Sequence, residues 1–82
     1  MVPVNSRGTP TGLPSLKKRS VSLSGHATSL ALEPEFWAAL EAMAAHERIS
    51  LAAIIVRIDE GRGERPLASA CRVAALKSAR GG

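Results

Sequence analysis

The feature that most constrains this chain is a strand-like stretch followed only by helical spacing. Ser20-Val21-Ser22-Leu23-Ser24 alternates polar and apolar residues, and Ala27-Thr28-Ser29-Leu30-Ala31-Leu32 resumes the alternation after Gly25-His26. That period is the one a half-buried strand shows. On the second run Thr28, Leu30 and Leu32 share one face, while Ala27, Ser29 and Ala31 share the other. Two arrangements satisfy this pattern: a hairpin with a Gly-first tight turn at Gly25-His26, or one strand pairing with a second chain.

Beyond the strands the period changes. Pro34 suits a first helical position, where its missing N–H is not needed, and Glu33 and Glu35 favour the positive helix start. Phe36, Leu40, Met43 and Glu47 follow one ridge with Trp37 and Ala44 beside it, which predicts an amphipathic helix of about three turns. Ser50 is placed to cap the next helix. In that helix Leu51, Ile54, Ile55 and Ile58 fall at i, i+3, i+4 and i+7. Gly61-Arg62-Gly63 stops it. Pro66 opens a third, weaker helix whose apolar side is Leu67, Ala70, Cys71, Val73 and Ala74.

A strand beside helices carries backbone N–H and C=O groups that need partners. If Ala27–Leu32 meets the same strand of a second copy, both strands are satisfied about a two-fold axis. The row Thr28, Leu30, Leu32 then packs on the helices of both chains, and the other face stands free. On that arrangement the expected fold is mainly α with a short β-ribbon, formed as a homodimer by intermolecular antiparallel pairing, plus a third C-terminal helix; the hairpin stays open beside it.

Size and composition remove most alternatives. The chain has 82 residues and 8.6 kDa, which supports one small core. With one Phe, one Trp and no Tyr, that core rests on Leu, Ile, Val, Ala and Met. The longest apolar run, Leu51 to Val56, falls far short of the ~20 residues a spanning helix needs. Met1-Val2-Pro3-Val4-Asn5 holds no apolar signal stretch, so a soluble, cytoplasmic protein is expected. Pro3, Pro10 and Pro14 make the first residues a flexible arm. The expected division is an arm over 1–18, a folded domain over 19–78 and a flexible tail over 79–82. The lone Cys71 excludes an internal disulfide and a multi-cysteine site, and is expected to be packing. His26 and His46 lie far apart without ligand spacing for zinc. No Gly-rich phosphate loop, catalytic dyad or nucleophile elbow occurs, so neither an enzyme nor a cofactor is expected.

The net charge of +4 is unevenly spread. Residues 1–32 carry Arg7, Lys17, Lys18 and Arg19 with no acid. Residues 33–60 are acidic, with Glu33, Glu35, Glu41, Glu47, Asp59 and Glu60 against Arg48 and Arg57. Residues 61–82 return to basic through Arg62, Arg65, Arg72, Lys77 and Arg80 against Glu64. Basic ends suit a polyanion, because cations that neutralise phosphates release counterions. Equally, such charges keep a small domain soluble.

Particular residues carry a resemblance. Arg19-Ser20-Val21, Gly25-His26, Thr28-Ser29 and Leu32-Glu33-Pro34-Glu35-Phe36-Trp37-Ala38-Ala39-Leu40 resemble a bacterial branch of the ribbon-helix-helix domains, in the superfamily of the Arc and methionine repressors. Ile49-Ser50-Leu51, Ile58-Asp59 and Leu67-Ala68-Ser69-Ala70 continue it, over about residues 19–76. The resemblance implies a homodimeric, double-stranded-DNA-binding transcriptional regulator whose β-ribbon enters the major groove. It implies groove-facing Ala27, Ser29 and Ala31. Phosphates would meet the second helix start at Ser50 and Leu51, joined by Arg48. Lys17, Lys18 and Arg19 would contact the DNA backbone or minor groove. Thr28, Leu30, Leu32, Trp37, Ile54, Ile55 and Ile58 would form the dimer interface. The sequence departs from the pattern twice: Ala27 stands where the branch often has Arg, and Arg48 where the family usually has Gly. Alanine and serine make none of the bidentate contacts that separate bases. The rival expectation is thus a protein-interaction or antitoxin-like dimerisation module with little sequence readout, its C-terminal segment covering a protein partner.

Overall fold

A computed structural model describes residues 15–81; the first fourteen residues of the arm expected over 1–18, and Gly82 of the tail, lie outside the described residues. The order is β1 (Lys17–Leu23), β2 (His26–Leu32), α1 (Pro34–Glu47), α2 (Leu51–Gly61) and α3 (Leu67–Ala79). Lys17 and Lys18, expected at the end of the arm, are the first residues of β1. Ala79, expected in the tail, closes α3.

Within one chain β2 pairs with β1, the hairpin that was one of the two arrangements open to the sequence. β1 and β2 form a two-stranded antiparallel sheet running from Lys17 opposite Leu32 to Leu23 opposite His26. Two local causes produce this. The basic run Lys17-Lys18-Arg19 continues the alternation begun at Ser20, so β1 is long enough to match β2 along its whole length. The turn then falls at Ser24-Gly25, one residue earlier than the Gly-first turn expected at Gly25-His26. Both turn residues have positive φ, 51° and 84°, the combination of a type I′ hairpin whose twist matches the strands. Gly takes the second position without strain, and Ser24 bears the cost.

One sheet face is apolar. Val21, Leu23, Leu30 and Leu32 are buried against the helices together with Trp37, Leu40, Ala44, Ile54, Ile55 and Cys71. Each fully buried Leu or Ile contributes about 1.5–3 kcal/mol. Leu30, Leu32, Trp37, Ile54 and Ile55, expected at a dimer interface, are already buried within the single chain, while Thr28 and Ile58 are half-buried. The reason is α3, whose Ala70, Cys71 and Ala75 close the core with small side chains.

The helices start and stop where their end residues dictate. The Glu33 carbonyl accepts from the N–H groups of Phe36 and Trp37 at 2.9 and 3.1 Å, with Pro34 at the first position of α1. At the far end Arg48 adopts the left-handed conformation, φ 60°, ψ 39°. Ile49 N–H donates to the Ala44 carbonyl at 3.0 Å, the six-to-one bond of a Schellman stop. Arg48 thus holds a glycine's conformation, which costs a side-chain-bearing residue about 1 kcal/mol. Ser50 Oγ accepts from Ala53 N–H at 3.0 Å, so the expected cap of α2 forms.

Candidate functional site

The register sorts the strand residues into two sets. Lys18 faces Ala31 across the ladder, Ser20 faces Ser29, and Ser22 faces Ala27. These six side chains lie on the sheet face opposite the core. All are exposed except the half-buried Ala31. Ala27, Ser29 and Ala31, the expected groove-facing residues, share this face with three β1 residues not singled out as a group from sequence. The signal for Ser20 and Ser22 was present in the alternation of β1; what was missing was the register that sets them beside Ser29 and Ala27.

The same alternation divides Lys17-Lys18-Arg19. Lys18 joins the outward face, whereas Lys17 and Arg19 pair with Leu32 and Leu30 on the core side. Arg19 is held there: its guanidinium lies 4.6 Å from the centroid of the Trp37 ring, and Nη1 donates to Glu41 Oε2 at 2.9 Å. Trp37 Nε1–H donates to the Lys17 carbonyl at 2.8 Å. This bond satisfies the indole within the core and fixes the start of β1 on α1. Lys17, Lys18 and Arg19 also line, with Trp37 and Glu41, a shallow hollow of about 320 Å³.

The start of α2 is partly engaged by its own cap. Ser50 spends an oxygen lone pair on Ala53 N–H, while Ser50 and Arg48 are exposed and Leu51 is half-buried. The first N–H groups of a helix have no intrahelical acceptor and attract anions. Next to this point Arg57 Nη1 donates to Glu47 Oε1 at 2.7 Å, tying α2 to the end of α1.

Charge is segregated in space. Residues 17–32, the whole sheet and its turn, hold Lys17, Lys18, Arg19 and His26 and no carboxylate. The acids lie on the helices and in the segments that lead into or join them. Glu33 accepts from Arg72 Nε at 2.9 Å. That hydrogen bond, helped by bonding to its own backbone, holds the Glu33 carboxyl below the usual carboxylate range. Burial raises the Cys71 thiol, which suits packing and not reactivity. Among the described residues, no group of three or more His, Cys, Asp or Glu is placed to hold a metal ion. No described helix is long and apolar enough to cross a membrane.

Comparison with known proteins bears on this arrangement. The model of a family described as ribbon-helix-helix domain matches residues 16–79. No curated protein and no solved structure matches the chain.

Proposed function

The chain belongs to the ribbon-helix-helix family, and from that premise we propose that it binds double-stranded DNA as a small transcriptional regulator. Domains of this family generally bind DNA, as transcriptional regulators or antitoxins, and are typically non-enzymatic. The observation that carries the reading is the outward face of the sheet: exposed, free of carboxylates, and backed by a core that leaves it no structural task. A two-stranded ribbon fits the major groove, and Ala27, Ser29 and Ala31 would approach the base edges. Ser50, the Leu51 amide and Arg48 would clamp a flanking phosphate.

A homodimer completes this reading. The outer edge of β2 pairs with no strand among the described residues, and an unpaired edge is a template for another strand. A second copy adding its own β2 there would place two β2 strands side by side, as this family's mode of DNA entry requires. A dimer built this way leaves each chain's core intact, since that core already closes within one chain.

Ala27 and Ala31 favour a second reading, a dimerisation or antitoxin-like module that holds a protein partner and discriminates little among sequences. One experiment separates the two. The purified chain is titrated against a random-sequence duplex at low and at moderate salt. Micromolar binding that falls steeply with salt supports DNA. No binding at low salt, with a protein co-purifying from its native cell, supports the second reading.

A further inference from the structure

We infer that β1 is a phosphate-contacting strand, with Lys18 as its charged anchor and Ser20 and Ser22 as its hydrogen-bond donors; this rests on the DNA-binding reading above. Each β2 residue assigned to the groove has a polar companion one strand further out: Lys18 beside Ala31, Ser20 beside Ser29, Ser22 beside Ala27. Two copies joined along β2 make a sheet of four strands. At a spacing of about 4.8 Å the outermost strands lie about 14 Å apart, wider than the major groove at about 12 Å. The central β2 pair therefore enters the groove, and each β1 lies over its wall, where the sugar–phosphate backbone runs.

The side chains on that wall suit the position. Lys18 is a compact charge on a flexible stem, the form suited to a point contact with phosphate. Serine hydroxyls donate to phosphate oxygens readily. No carboxylate on the sheet opposes them. Lys17 and Arg19 turn to the other face, with Arg19 held by Trp37 and Glu41. The basic run therefore acts through one residue and not through its summed charge.

The test compares neighbours of equal charge on opposite faces. Lys18→Ala, Lys17→Ala and the double variant Ser20→Ala/Ser22→Ala are each titrated with several unrelated duplexes by fluorescence anisotropy over a salt series. Circular dichroism melts confirm that each is folded. Lys18→Ala is expected to weaken binding alike on every duplex and to reduce the salt slope by about 1 per chain bound. The double serine variant is expected to weaken binding on every duplex with an unchanged slope, since it removes no charge. Lys17→Ala should leave both affinity and slope close to wild type. Equal losses from Lys17→Ala and Lys18→Ala would show diffuse attraction and overturn the assignment, as would a Lys18→Ala loss confined to one sequence. Undisturbed binding by Lys18→Ala overturns it while leaving the DNA-binding reading intact. A wild-type chain that binds no duplex removes both.

Discussion

The two faces of the hairpin are made from the same two strands, yet they answer to different constraints. Val21, Leu23, Leu30 and Leu32 face inward and are buried, Leu32 completely. Lys18, Ser20, Ser22, Ala27 and Ser29 face outward and are exposed. The inner residues are dictated by a core that any small domain must build. Among the described residues the outer ones take no part in the buried core, so their identity is free for a task outside the chain.

The sharpest way to break this contrast is to truncate one residue on each face. Leu32→Ala leaves a cavity in the core cluster that also holds Trp37, Leu40 and Ile55 and should destabilise the domain by about 2–5 kcal/mol. Ser29→Ala, two strand positions from Ala31 and Ala27 and facing solvent, should stay within about 0.5 kcal/mol. Thermal and urea melts of the two variants decide the matter. Comparable losses would mean that the outward face is covered by another part of the protein.

A second change sharpens the contrast from the functional side. Ala27→Arg places a long, five-donor side chain on the exposed face without disturbing the core. It should leave the melting temperature nearly unchanged while tightening DNA binding, by about 1–3 kcal/mol on duplexes that offer a guanine to its fork. A duplex selection followed by affinity measurement reads both the gain and its sequence bias. No gain on any duplex would argue that this face does not meet DNA.

How much of this was legible in the sequence depends on the range of the interaction. The Ser50 cap and the Leu51, Ile54, Ile55, Ile58 stripe are local, and the helix forms where they place it. The left-handed stop at Arg48 was pointed to only by the resemblance, in which Gly usually stands there, and Arg48 takes that conformation all the same. The strand partner was only half legible, since the hairpin stood beside an interchain pairing and nothing in the sequence chose between them. Lys17-Lys18-Arg19 reads as one charged run in a linear chain, and only the register shows that alternation divides it between two faces. Of the α3 residues that close the core, Ala70 and Cys71 stood on the expected apolar side, whereas Ala75 was missed because a small side chain gives little periodic signal. The family match and the helix pattern thus carried the fold, while the outward surface needed the pairing of β1 with β2. Only part of the candidate site was visible from residues alone.

The smallest expected effect concerns the joint between these regions. Arg72 of α3 reaches across to Glu33, the residue that links β2 to α1, over a sequence separation of 39; its guanidinium also lies 5.8 Å from the centroid of the Phe36 ring. The Glu33 carboxyl is held below its ordinary range chiefly by that hydrogen bond. A carboxyl whose pKa is lower in the folded chain than in the unfolded chain stabilises the fold above the unfolded value. As the pH falls from there through the folded value, the unfolded chain takes up the proton first and the contribution disappears. Both partners are partly solvent-exposed, so the effect is modest. Glu33→Gln should therefore melt slightly below wild type at neutral pH and converge with it in acid, below the ordinary carboxylate range. Parallel melting curves for the two proteins across that whole range would show that Arg72 contributes by packing on Phe36 and not by its charge.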